Sequence, residues 1–145
     1  MTFLAPVLFF TSKYIKGAFV KKVIQSENAP KPVGPYSQAI EAGNMLFCSG
    51  QSAIDPATDT VLTGDVETQT RQVMKNIKAV LDKAGYTWNQ IVKTTIFLTD
   101  MADFAKVNAI YAEAFKELPP ARSTVQVSGL PKGVNVEIEV TAYKG

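Results

Sequence analysis

Residues 135–143 alternate with a period of two: Val136, Ile138, Val140 and Ala142 fall in one phase, and Glu137, Glu139, Thr141 and Tyr143 in the other. Such a segment is a strand with one face in an apolar core and the other turned away from it. The apolar face needs a covering layer, and the chain supplies one. Asp65 can cap a helix in which Val73, Met74, Ile77, Val80, Leu81 and Ala84 recur at a 3.6-residue spacing, with Gly85 as its stop. A strand over residues 20–24 comes first, followed by a turn-rich stretch over residues 29–35. Strands over residues 36–41 and 45–49 then form a hairpin across Gly43-Asn44. Residues 55–64, holding Pro, Asp, Thr and Gly, are expected to form a loop. Residues 91–99 are dense in Ile, Val, Thr and Phe and predict another strand, and a second helix starts at residues 100–103. It carries Phe104, Val107, Ile110, Tyr111, Ala114 and Phe115 before Pro119-Pro120. A strand over residues 122–128 precedes the last one. The order β, ββ, α, β, α, ββ predicts an α+β domain, a two-layer mixed β-sheet with two helices on one face. Glu137 and Glu139 then point to the opposite, uncovered face.

A chain of 145 residues with 46% apolar content suits one such domain. Its 15 basic and 13 acidic residues are spread along the sequence, so no basic stripe marks a nucleic-acid surface. Cys48, the one cysteine, lies in an apolar run and reads as a core residue. There is no histidine, which removes Ser-His-Asp and Cys-His catalysis, His-paired ribonuclease chemistry and most catalytic zinc sites. Carboxylate, Arg, Lys, Tyr and hydroxyl chemistry remain. Without a phosphate loop, a Rossmann glycine fingerprint or a Cys-x-x-Cys pair, no cofactor and no metal are expected.

Residues 1–19 are expected to be an extension separate from the domain at residues 20–145. The apolar run over residues 3–10 precedes any positive charge, the reverse of a secretory signal, and it is too short to span a membrane. Lacking arginine, the segment also makes a poor mitochondrial presequence, so no membrane association and a cytoplasmic location are expected. Val20 can be encoded by GTG, an alternative start codon, and Lys16-Gly17-Ala18 by a purine-rich sequence resembling a ribosome-binding site. An in-frame leader would give this pattern.

Five segments, taken in order, resemble the Rid (YjgF) family of reactive-intermediate deaminases. They are Ser26-Glu27-Asn28-Ala29-Pro30, Gly34-Pro35-Tyr36-Ser37-Gln38-Ala39, Ser49-Gly50-Gln51, Pro120-Ala121-Arg122-Ser123 and Val136-Glu137-Ile138-Glu139. The resemblance implies a chorismate-mutase-like fold of the bacillary type and a homotrimer whose sheets face inward, with clefts between subunits. It also implies hydrolysis of 2-iminobutanoate and 2-iminopropanoate to 2-keto acids and ammonia, which protects other enzymes from these intermediates.

Arg122 follows a double proline at the start of a strand. Its guanidinium either is solvated or grips a substrate carboxylate through parallel hydrogen bonds, and the resemblance favours the grip. Glu137, on the uncovered sheet face, can orient or activate water, and burial of that face in a trimer argues against an idle carboxylate there. Through the resemblance, Tyr36, Ser49, Asn108 and Thr124 become substrate-binding candidates. Many relatives resemble Ala-Arg-Ser-Cys where this chain has Ala121-Arg122-Ser123-Thr124, so a thiol at that position plays no part here. Two alternatives remain at this stage: an RNA-binding or endoribonuclease protein, as attributed to some members of the family, and a non-catalytic ligand-sensing trimer. The former lacks a basic groove with stacking aromatics.

Overall fold

A computed structural model describes residues 20–145. The expectation for residues 1–19 lies outside the described residues. The sheet starts with β1 (Lys22–Ile24), which pairs antiparallel with β2 (Ala39–Ala42). Gly43, at φ 58°, supplies the left-handed residue that turns β2 back into β3 (Met45–Ser52). β3 runs three residues beyond the predicted strand, and a bulge between Cys48 and Gln51 re-aims Ser49 and Gly50. The stretch predicted as a loop holds a small separate hairpin of β4 (Ile54–Asp55) and β5 (Thr60–Val61). Two-residue strands leave little periodicity for a sequence to show.

The first helix, α1 (Val66–Ala84), keeps both predicted ends: the Asp65 carboxylate accepts from the Thr68 backbone N–H at 2.8 Å, and Gly85 closes it at φ 71°. Val73, Met74, Ile77, Val80, Leu81 and Ala84 are all buried. Burial of each large side chain among them contributes about 1.5–3 kcal/mol. β6 (Ile91–Leu98) leads through a short turn into α2 (Phe104–Ala112). That helix ends earlier than predicted. Glu113, Ala114 and Phe115 bond back three residues rather than four, so the last apolar positions sit in tightening turns, while Phe104 stays partly exposed.

The crossover through α2 lets β7 (Ala121–Gln126) pair parallel with β6, and β8 (Val136–Tyr143) inserts antiparallel between β3 and β6. The sheet order is β1-β2-β3-β8-β6-β7. Val136, Ile138, Val140 and Ala142 are buried beneath the helices, as the alternation required, and Cys48 is buried with them. The domain is the expected α+β mixed sheet with two helices on one face. On its other face, Val23, Phe47, Val125 and Tyr143 are 56%, 48%, 41% and 46% exposed, so nothing among the described residues covers it. No helix among the described residues is long and apolar enough to cross a membrane.

Candidate active site

Glu137 stands in the outward phase of β8, half-buried, opposite Ser52 of β3 and Phe97 of β6. Ser52 Oγ donates to its Oε2 at 2.8 Å. The rest of the carboxylate lies across Gly50. A Cβ there would sit 2.9 Å from Glu137 Cγ, 2.8 Å from Cδ and closer still to Oε1. Glycine at position 50 therefore makes the space in which the carboxylate rests. Together with Tyr36, Gln38 and Ser49 these residues line a cavity of about 370 Å³. Ser49 Oγ donates to the Ser37 carbonyl at 2.6 Å and keeps its acceptor lone pairs for the cavity. Tyr36 stands half-exposed at the mouth.

The walls of this cavity are held by buried amides. Gln38 Oε1 accepts from the Ser26 N–H at 2.6 Å, and its Nε2 reaches the carbonyls of Ser26, Ala29 and Pro30 at 3.1, 3.2 and 2.9 Å. From α1, Asn76 Nδ2 donates to the Ser52 and Ile54 carbonyls at 3.0 and 2.9 Å. Gln69 exchanges bonds with Asn135, just ahead of β8, at 2.8 Å each. These contacts, made by three buried amide side chains, fix the loops and the strand end that carry Glu137.

Arg122 belongs to a different place. Its Nη1 donates to Asn108 Oδ1 at 2.7 Å, and its guanidinium carbon lies 4.9 Å from the Tyr111 ring centre and 5.7 Å from that of Phe104. Two aromatic rings and an amide from α2 thus hold the guanidinium plane while leaving further N–H groups to bind a carboxylate. Burial pushes the Tyr111 hydroxyl pKa up, opposed by its 2.8 Å bond to Thr94 and by the Arg122 charge, so the phenol stays neutral beside the arginine. Thr124, two residues along β7, shares this side, and its hydroxyl is buried without a partner among the described residues.

The register puts the two clusters on opposite faces of the sheet. Arg122 pairs with Thr94, which is buried under α2, whereas Glu137 pairs with Phe97, an odd number of residues further along the same strand. Within one chain they cannot meet over one small substrate.

The family profile described as Endoribonuclease L-PSP matches residues 26–144. A RutC family protein of Pyrococcus horikoshii is 59% identical over 125 residues, covering 86% of this chain and 99% of that protein. Among solved structures, YyfA of Yersinia pestis, described as a protein of unknown function of the conserved Rid family, has a TM-score of 0.84 at 55% identity. It covers 86% of this chain and 100% of that one. The chain belongs to the Rid family. Reactive Intermediate Deaminase A, chloroplastic, of Arabidopsis thaliana is a further relative, 46% identical over 134 residues, 92% of this chain and 72% of that protein.

In this Rid chain the six residues singled out from the sequence fall into two groups: Tyr36, Ser49 and Glu137 around one cavity, and Arg122, Asn108 and Thr124 at the β7 edge. Sequence reasoning missed the parts that shape each group. Gly50 and Ser52 set the Glu137 carboxylate, and Tyr111 and Phe104 set Arg122. Asn76 and Gln69 carried a usable signal, since both are amides standing in the apolar phase of α1. Tyr111 carried none, because an aromatic residue at a core position of a helix reads as core.

Proposed function

We propose that this protein hydrolyses short 2-imino acids and their enamine tautomers, such as 2-iminobutanoate and 2-iminopropanoate, to 2-keto acids and ammonia. It does so in clefts between the subunits of a homotrimer. The observation that carries this is the separation of Arg122, held by Asn108 and two rings, and a half-buried glutamate onto opposite faces of one sheet. A second copy, packed on the uncovered apolar face, brings the Glu137 cavity of one subunit against the Arg122 edge of the next.

In that cleft Arg122 takes the substrate carboxylate through two parallel hydrogen bonds, oriented by Asn108 and the two rings. Glu137, steadied by Ser52, accepts a proton from water as the oxygen bonds to the imine carbon and passes that proton to the nitrogen, giving the neutral carbinolamine. Thr124 contributes through its backbone, and Tyr36 and Ser49 line the wall. The carboxylate then takes the carbinolamine hydroxyl proton and delivers it to the nitrogen as the C=O bond forms, the C–N bond breaks and ammonia leaves with the keto acid. Imines hydrolyse unaided in water, so holding the carboxylate and presenting water in line suffices. The relative described as a reactive intermediate deaminase supports the same chemistry.

The test adds the protein to a threonine dehydratase reaction containing semicarbazide as a competing imine trap. Faster formation of 2-oxobutanoate at the expense of the semicarbazone is expected. An unchanged partition rejects the proposal, and cleavage of RNA by the same preparation would support the endoribonuclease description instead.

A further inference from the structure

The Glu137 cavity carries two lysines that the hydrolysis described above does not use. Lys31 and Lys132 both line it, and neither forms an ion pair or a side-chain hydrogen bond with a described residue. Both are displayed from constrained backbone outside the two α-helices and the strands of the sheet. Lys31 stands between Pro30 and Pro32, whose rings lock φ, and the buried Gln38 amide pins the Ala29 and Pro30 carbonyls behind it. Lys132 follows Pro131 and precedes Gly133, which is itself at φ 70°.

The backbone of Lys132 is the second observation. It sits at φ 61°, ψ 13°, the left-handed region that L side chains avoid and that glycine enters without strain. The turn alone would be better served by glycine. A long cationic residue kept in that state on the lining of a cavity, without an acidic partner among the described residues, points to a use for its charge. Counting both lysines against Glu137, the cavity is net cationic even before Arg122 of a neighbouring subunit is added.

We infer that Lys31 and Lys132 form a second anion-binding point in this cavity, fitted to the distal carboxylate of 2-imino dicarboxylates and of their 2-keto products. Arg122 holds the carboxylate beside the reacting carbon, and the lysines hold the one at the far end. The inference rests on the proposed imine hydrolysis for its chemistry but not for its binding, so the two are tested separately. Both lysines are exposed, which sets the expected preference near tenfold rather than thousandfold.

Calorimetric titration of the full chain with 2-oxoglutarate and with 2-oxobutanoate at low salt tests the binding. The dicarboxylate is expected to bind roughly tenfold tighter. In the double variant Lys31→Gln, Lys132→Gln the ratio is expected to collapse to about one. Equal affinities in the unmodified protein, or a preference that survives in the double variant, overturns the inference. A parallel trap assay uses imines made by amino-acid oxidases from glutamate and from 2-aminobutanoate, and faster hydrolysis of the glutamate imine supports it. Should neither imine be hydrolysed while the lysine-dependent binding preference is found, the anion-binding point stands and the hydrolysis proposal falls.

Discussion

Gly50 is the residue at which sterics and chemistry meet most directly. A methyl group there overlaps the Glu137 side chain, a group able to rotate away, so Gly50→Ala is expected to displace the carboxylate while leaving the fold intact. Imine-trap turnover should fall at least tenfold with a melting midpoint close to that of the parent; retained turnover would mean that the observed carboxylate position is not the working one. Cys48 makes a prediction of another kind. Its thiol, with an ordinary value of 9.0, is pushed up to about 12 by burial, so the folded state holds the proton more tightly than the unfolded one. The stabilisation is present below the unfolded value and is lost as pH climbs from about 9 towards 12. Buried Tyr86 and Tyr111 shift in the same direction for the same cause. Urea midpoints should therefore drop steadily over that window, and Cys48→Ala should make the slope shallower. An unaltered slope would remove the thiol as a contributor.

At the scale of elements, α1 does more than cover the sheet. Asn76 is fully buried and is the sole described side chain bonding the Ser52 and Ile54 carbonyls, so Asn76→Ala leaves two desolvated acceptors unpaired just behind the Glu137 cavity. A loss of about 2–4 kcal/mol in urea unfolding, at constant m-value, is expected, and a loss below about 0.5 kcal/mol would show that water replaces the amide. Elements of this length were legible because α1 and β8 repeat their patterns over 19 and 8 residues. What escaped was short or depended on distant partners. β4 and β5 are two residues each, and the end of α2 is set by a switch to tighter hydrogen bonds that its apolar spacing does not encode. For the site, Arg122 and Glu137 could be picked by type and position, but not their faces. The face of Arg122 follows from β7 pairing parallel with β6 instead of joining β8, and that is a property of the whole sheet.

That topology makes the proposed assembly testable without a structure of it. If each cleft takes Arg122 from one subunit and Glu137 from the next, Arg122→Ala and Glu137→Gln chains are each inactive alone for different reasons. Mixed trimers repair one another. In a trimer with either composition of mixed subunits, one interface brings an intact arginine edge against an intact glutamate face, and the other two lack at least one partner. Random co-assembly of equal amounts makes three-quarters of the trimers mixed, so roughly a quarter of the parental imine-trap activity should return. A site built within one chain gives no recovery, whatever the mixing ratio, because every chain stays defective. Light scattering on the same samples must report an unchanged mass, since the apolar face bearing Val23, Phe47, Val125 and Tyr143 is untouched by either substitution. Recovery at a quarter, tracking the product of the two subunit fractions as their ratio is varied, is the signature of an inter-subunit cleft; its absence at constant mass rejects the shared site.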